Sequence, residues 1–328
     1  MNQHFVPQYY LKNFADSNQR VYVFDIKSKA LLSPKAIPVS KIGFKKDFYN
    51  IPPMLISIFC DIKTTDPRFI DDLIEKYNER INAPFIKSFQ ELGKTITNSQ
   101  FNLEVVSAIQ NSALYDFLLI QLCRTPRFRN VFNSIADDVQ LKLKEINEKS
   151  NDDNKIRPEL LEKSFILAIA HNIFVLAALL ETDSFKAHKT KISLKSEYQF
   201  LISPIKDFIN RLDNSYKIML VTKGAKTFKT SDNPVHIESI GGALDSFKFV
   251  YIPITNRCSF IFLNPLMFPL QKYRNRTVDI LDDSSFEKID NLNILMLRNS
   301  ERFIYSENDN FHKIKLFVEK KISSRLII

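Results

Sequence analysis

The sequence predicts an α+β fold: a small N-terminal β-element, a central helical bundle and a mostly antiparallel C-terminal sheet. Three observations predict it. Residues 20–25 alternate, residues 66–212 carry apolar side chains at helical spacing, and residues 216–264 return to short strand-like runs between turn residues. Strands grouped before and after a helical middle argue for α+β layers and against alternating βαβ units. The chain of 328 residues is read as one domain, 1–328. Within it, 1–60 is a docked terminal segment with a β-hairpin, 66–212 is helical and 216–328 is β-rich.

The first fourteen residues hold Phe5, Tyr9, Tyr10 and Phe14, enough apolar surface to dock a chain end that would otherwise fray. Arg20 to Asp25 is then a strand, Lys27 to Lys29 a turn, and Leu31 to Val39 a returning edge strand limited by Pro34 and Pro38. Asp66 and Pro67 start a helix that continues through Phe69, Leu73, Tyr77, Ile81 and Phe85. A second helix runs from about Leu103 to Cys123 and stops at Pro126, and a third covers about Val131 to Lys149. Ser150 to Lys155 reads as a linker. Pro158 opens an apolar helix ending near Glu181, and Glu197 to Leu212 adds one more helix or two short ones. Strands follow at 217–223, 227–231, 235–239, 247–253 and 259–264, with strand or helix pieces at 303–305 and 313–318.

Composition narrows the function classes. Five glycines, none arranged as GxGxxG or a Walker loop, argue against the two commonest phosphate cradles. The three cysteines, Cys60, Cys123 and Cys258, form no CxxC pair, which argues against a thiolate zinc site and suits a reducing, cytoplasmic setting. The longest apolar stretch, Phe165 to Leu180, is interrupted by His171 and Asn172 and is too short to span a bilayer. It is expected as a buried core helix, with His171 a satisfied core residue. No signal-peptide pattern opens the chain, and no membrane association is expected. The net charge of +9 admits nucleic acid as a partner, although no long basic block occurs. A partner protein or a second copy of the chain is the other class of partner considered.

The helix ending at Gln121, Arg124, Thr125, Pro126 and Arg127 places Gln121 on the apolar face and Arg124 beside it. Such an arginine either holds a phosphate or carboxylate, with Gln121 and Arg127 assisting, or pairs with a structural carboxylate. Glu79 is the candidate carboxylate for such a pair, and in a catalytic site it is a general base or metal ligand. Ser231, Asp232, Asn233 and Pro234 form a turn in which Asp232 is either a local cap or a general base or metal ligand, with Asn233 orienting a substrate. A divalent metal is the cofactor this would admit. Asp16 with Asp25 and Lys27 loosely matches a nuclease pattern too short to weigh heavily. Among the five histidines, His4 sits in the densest motif and is the acid–base candidate.

Three of these segments together resemble the bacterial domain-of-unknown-function 4238 family. They are His4-x-x-Pro7-x-x-Tyr10-Leu11-x-x-Phe14, then Gln121-x-x-Arg124-Thr125-Pro126, then Ser231-Asp232-Asn233-Pro234. Asp47, Phe48, Tyr49 and the Glu79 helix extend the resemblance over nearly the whole chain. It implies a site gathering His4, Glu79, Arg124, Asp232 and Asn233, and it implies no particular chemistry. The function expected from the residues is a bacterial hydrolase of a phosphate-containing substrate, a nuclease of a defence or toxin module. The alternative is a non-enzymatic sensor or protein-interaction module whose buried polar cluster is structural.

Overall fold

The computed structural model describes residues 2–46, 60–62, 112–130, 132–149, 162–181, 192–196, 203–239, 247–268 and 278–320. Chain order begins with β1 (Asn2–His4), α1 (Gln8–Leu11), β2 (Arg20–Asp25), β3 (Ala30–Leu31), β4 (Ile37–Pro38), β5 (Phe44–Lys46) and β6 (Cys60–Ile62). Helices α2 (Ser112–Cys123), α3 (Pro126–Asn130), α4 (Asn133–Lys149) and α5 (Lys163–Glu181) follow, then β7 (Ile192–Leu194) and α6 (Ser203–Asp213). The remainder is β8 (Tyr216–Thr222), β9 (Thr230–Ser231), β10 (His236–Ser239), β11 (Phe247–Pro253), β12 (Cys258–Leu263) and β13 (Val278–Leu281). It closes with α7 (Phe286–Asn299), β14 (Phe303–Ser306) and α8 (His312–Lys320). The fold is α+β.

The larger sheet runs β10-β11-β12-β8-β13. Its first four strands are antiparallel, while β13 adds in parallel to β8. Successive side chains of a strand point to opposite faces, and here both faces are covered. Met219, Val221, Phe260 and Phe262 join the core of α2, α5 and α6, where Phe117, Leu118, Leu176 and Phe208 are buried. Ile218, Leu220, Tyr251 and Ile261 face the other way and meet Ile289, Leu292, Leu295 and Met296 of α7. That is why β12 is buried at every position instead of alternating.

The second sheet joins the two ends of the sequence. Strand β14 pairs antiparallel with β2, Phe303 opposite Asp25, and with β9 on its other side, Ile304 opposite Ser231. The N-terminal β-element is thus not a separate hairpin. Its predicted return strand is two short pieces, Leu31 opposite Phe24 in β3 and Ile37 opposite Val21 in β4. Pro38 sits at the edge, where its missing N–H costs no ladder bond.

Of the two forms open for residues 313–318, strand or helix, the structure has the helix, α8. One further difference separates the sequence reading from the structure: α7 falls where no helix was predicted. Its apolar positions Ile289, Leu292, Leu295 and Met296 do follow helical spacing, and Asp282 caps the turn before it by accepting from Ser284 N at 3.0 Å. The predicted first helix, Glu79 within it, the 150–155 linker and Asp47 to Tyr49 lie outside the described residues. Among the described residues no helix is long and apolar enough to cross a membrane.

Candidate functional site

The N-terminal motif is anchored by its backbone and its aromatic side chains. Strand β1 pairs with β5, placing His4 opposite Phe44, and the imidazole meets the Phe44 ring edge-on at 5.4 Å. Val6 N donates to Gly43 O at 3.1 Å. Gly43 has φ of +67°, and a Cβ there would stand 3.2 Å from Val6 O and Leu11 Cδ1, so a side chain would be both strained and crowded. Pro7 then opens the single turn α1, its carbonyl accepting from Leu11 N at 3.0 Å. Val6, Tyr10, Leu11 and Phe14 are fully buried, as the aromatic content of the motif predicts.

Tyr10 reaches furthest. Its hydroxyl donates to Pro253 O at 2.6 Å. Having one proton, it must accept from Thr230 Oγ1, which lies 2.8 Å away. Burial pushes the phenol well above its ordinary range, so it stays neutral. The opening motif is thereby fixed to the residue that precedes Ser231.

At the end of α2, Gln121 and Arg124 are 0% and 1% exposed, so the predicted inward pair is present. Arg124 Nη2 donates to the main-chain oxygen of His4, joining the second motif to the first. His4 itself is buried, with Gln8 Nε2 at 3.3 Å from its Nε2. Neither amide atom of Gln121 has a hydrogen-bond partner among the described residues. Thr125 and Pro126 have local work. Thr125 Oγ1 accepts from Phe128 N at 3.2 Å as the cap of α3, and Pro126 takes the first helical position, where its lack of an N–H is harmless. The next helix position carries Arg127. Its Nη1 donates to Arg298 O at 3.1 Å and Asn299 O at 2.8 Å, carbonyls at the C-terminus of α7, where the last helical carbonyls have no partner within the helix.

The third motif closes on the same helix end. Asn233 Nδ2 donates to Asn299 O at 3.0 Å, and Asn299 Nδ2 returns bonds to Asn233 O at 2.6 Å and Val235 O at 2.8 Å. Ser231 Oγ holds the turn by donating to Asn233 O at 2.7 Å. Asp232 accepts from three successive main-chain amides: Glu301 N at 2.9 Å, Arg302 N at 2.8 Å and Phe303 N at 3.0 Å. Burial pushes its carboxyl up to about 6, against the three donors, which favour the charged form. The buried Tyr305 phenol is raised by burial and by the nearby Asp232 charge.

The structure thus brings His4 to Arg124, Tyr10 to Thr230, and Arg127 to Asn233 through Asn299. It forms no bond from Asp232 to His4 or Arg124. Asp25, from the short nuclease-like pattern, pairs with Arg302 Nη2 at 2.9 Å, which holds its carboxyl below the usual range. Asp16 caps its own turn, accepting from Asn18 N at 2.9 Å and Arg20 N at 3.0 Å. Among the described residues no three His, Cys, Asp or Glu side chains gather to hold a metal. His171 is the expected core residue: its Nε2 donates to Cys123 O at 2.8 Å, and burial lowers it to about 4.

Residues 2–310 match the family described as protein of unknown function (DUF4238). The chain belongs to the DUF4238 family. No curated protein and no solved structure matches it. The three segments that carry the DUF4238 resemblance are the ones tied together here. Asn299, the residue that ties Arg127 to Asn233, went unnoticed in the sequence because α7 did. The spacing of Ile289, Leu292 and Met296 was the signal that could have found it.

Proposed function

We propose that this DUF4238 protein is a non-enzymatic sensor or interaction module whose motif residues form its rigid centre. The observation that supports this most is Asp232. Three of the roughly four lone-pair positions of a carboxylate are taken by main-chain N–H groups. A general base or metal ligand must offer a lone pair toward the substrate or ion, and this carboxylate is turned into its own backbone. Arg127, Asn233 and Asn299 are engaged in the same way, with carbonyls at a helix end. A module of this kind acts by presenting a fixed surface to a partner protein or to a second copy of the chain.

A hydrolase of a phosphate-containing substrate, a nuclease in particular, is the second reading. It is favoured by the fully buried Gln121 amide beside Arg124, since buried polar atoms in native proteins are rarely left without partners, and by the net charge of +9. One experiment separates the two. The full chain is incubated with labelled single-stranded DNA, duplex DNA and RNA, with and without magnesium or manganese. The module reading expects no cleavage above that of a His4→Ala, Arg124→Lys double variant. Cleavage that this variant abolishes, at an unchanged melting temperature, overturns it in favour of the hydrolase.

A further inference from the structure

A pocket of about 190 Å³ opens between the segment 225–229, helix α7 and the start of α8. None of His4, Arg124 or Asp232 lines it. Its wall includes Lys229, a lysine only 6% exposed. The backbone of Lys229 is fixed by donating to Asn293 Oδ1 at 2.8 Å. Its ammonium donates to Ser306 Oγ at 2.9 Å, reaches Asn308 Oδ1 at 3.5 Å and lies 4.8 Å from the centre of the Phe311 ring. Among the described residues no carboxylate forms an ion pair with it. Lysine is almost never buried without one. Burial lowers its ammonium to about 8, partly offset by the more distant Glu307, Asp290 and Asp309, so it remains largely charged at neutral pH.

The rest of the wall adds positive charge and donors. Lys226 lines the pocket with its ion-pair partner Asp290, so that pair is neutral. Exposed Lys313 has no such ion pair among the described residues and lines the rim, with Asn310 and His312 beside it. His312 and Lys313 are also the first residues of α8, a helix of nine residues whose first-turn N–H groups and dipole favour an anion. The volume lies below the roughly 300 Å³ at which pockets for drug-sized molecules begin. It suits one phosphate group with a short organic part, not a polymer.

We infer that this pocket binds a small phosphate-bearing ligand, with Lys229 at its inner wall and Lys313 with the start of α8 at its mouth. Two of the three ammonium donors of Lys229 go to Ser306 and Asn308. The third is left for a ligand oxygen, which supplies the missing counter-charge. The inference stands apart from the functional reading above and holds for a module or a hydrolase alike.

The test titrates the full chain with inorganic phosphate and, separately, with glycerol 3-phosphate, by calorimetry and thermal shift. Sodium chloride at matched ionic strength is the control. Saturable binding of at least one of the two is expected, and the comparison tells free phosphate from a phosphomonoester. Lys229→Gln should abolish binding, and Lys313→Glu should weaken it at least tenfold. Because Lys313 is exposed, its variant decides the matter even where Lys229→Gln fails to fold. A response that does not saturate, that chloride reproduces, or that survives Lys313→Glu overturns the inference.

Discussion

The hydroxyls of Tyr10 and Thr230 lie 2.8 Å apart, so a side chain from the first turn of the chain holds the strand that leads into Asp232. Tyr10→Phe keeps the ring in its core, 5.2 Å from Phe14 and 5.8 Å from Phe117. It leaves Pro253 O and the Thr230 hydroxyl buried without this partner. Such groups cost about 1–3 kcal/mol when stranded. Urea unfolding of the variant should show a loss in that range, and an unchanged midpoint would remove the tether.

Asn299 should matter more than its place outside the three motifs suggests. Replacing it by alanine deletes the donors to Asn233 O and Val235 O, both in a buried turn. A stability loss of about 2 kcal/mol or more is expected. Arg127→Ala should cost less, about 1 kcal/mol or below, because that side chain is more open to water and its acceptors can be solvated. Thermal melts of the two variants should fall in this order. The reverse order would mean that the arginine, not the asparagine, holds the junction.

Asp232 distinguishes scaffold from chemistry. Asp232→Asn turns an amide NH₂ toward main-chain N–H groups that now meet a carboxylate. Both Asp232→Asn and Asp232→Ala should therefore destabilise, by about 2 kcal/mol or more. A fully stable Asp232→Asn protein would instead point to a carboxylate kept for catalysis.

His171 predicts a pH dependence of known sign. Its pKa is lowered to about 4 in the fold, against about 6.5 unfolded. Below pH 6.5 the unfolded chain takes up a proton that the folded chain refuses, so stability present above 6.5 is lost as pH falls toward 4. The full effect is about 3 kcal/mol. Asp232, raised to about 6, acts in the opposite sense, since the fold takes up its proton first as pH falls. The two overlap, so the clean readout is a difference. His171→Gln keeps a donor for Cys123 O and should lose stability more gently than the parent between pH 6.5 and 4. Parallel pH curves would show that His171 is not the titrating group.

Much of this arrangement was legible in the sequence. The buried terminus followed from Tyr10 and Phe14, and the inward Gln121 and Arg124 followed from their spacing on an apolar helix. The core role of His171 followed from its apolar neighbours. What residue types could not convey was direction. Asp232 in a turn reads equally as a base or a cap, and only the position of residues 301–303, about 70 places later, makes it a cap. Pairing between β2 and β14 was invisible for the same reason, since no local pattern names a partner at the far end of a chain. Lys229 passed as one more basic residue among many, because burial in an irregular segment leaves no periodic trace.

The pairing of β2 with β14 also has a consequence for biosynthesis. A ribosome completes Asp25 roughly 280 residues before it completes Phe303, a delay of roughly 14–56 s at about 5–20 residues per second. During that interval one edge of β2 has no neighbour, and the amides of residues 301–303 that will cap Asp232 do not yet exist. A nascent chain in this condition offers an open strand edge to other chains, the usual route to aggregation. This coupling makes residues 301–306 a checkpoint for β2. Chains released before about residue 306 should thus be cleared by chaperones and proteases instead of persisting as folded fragments.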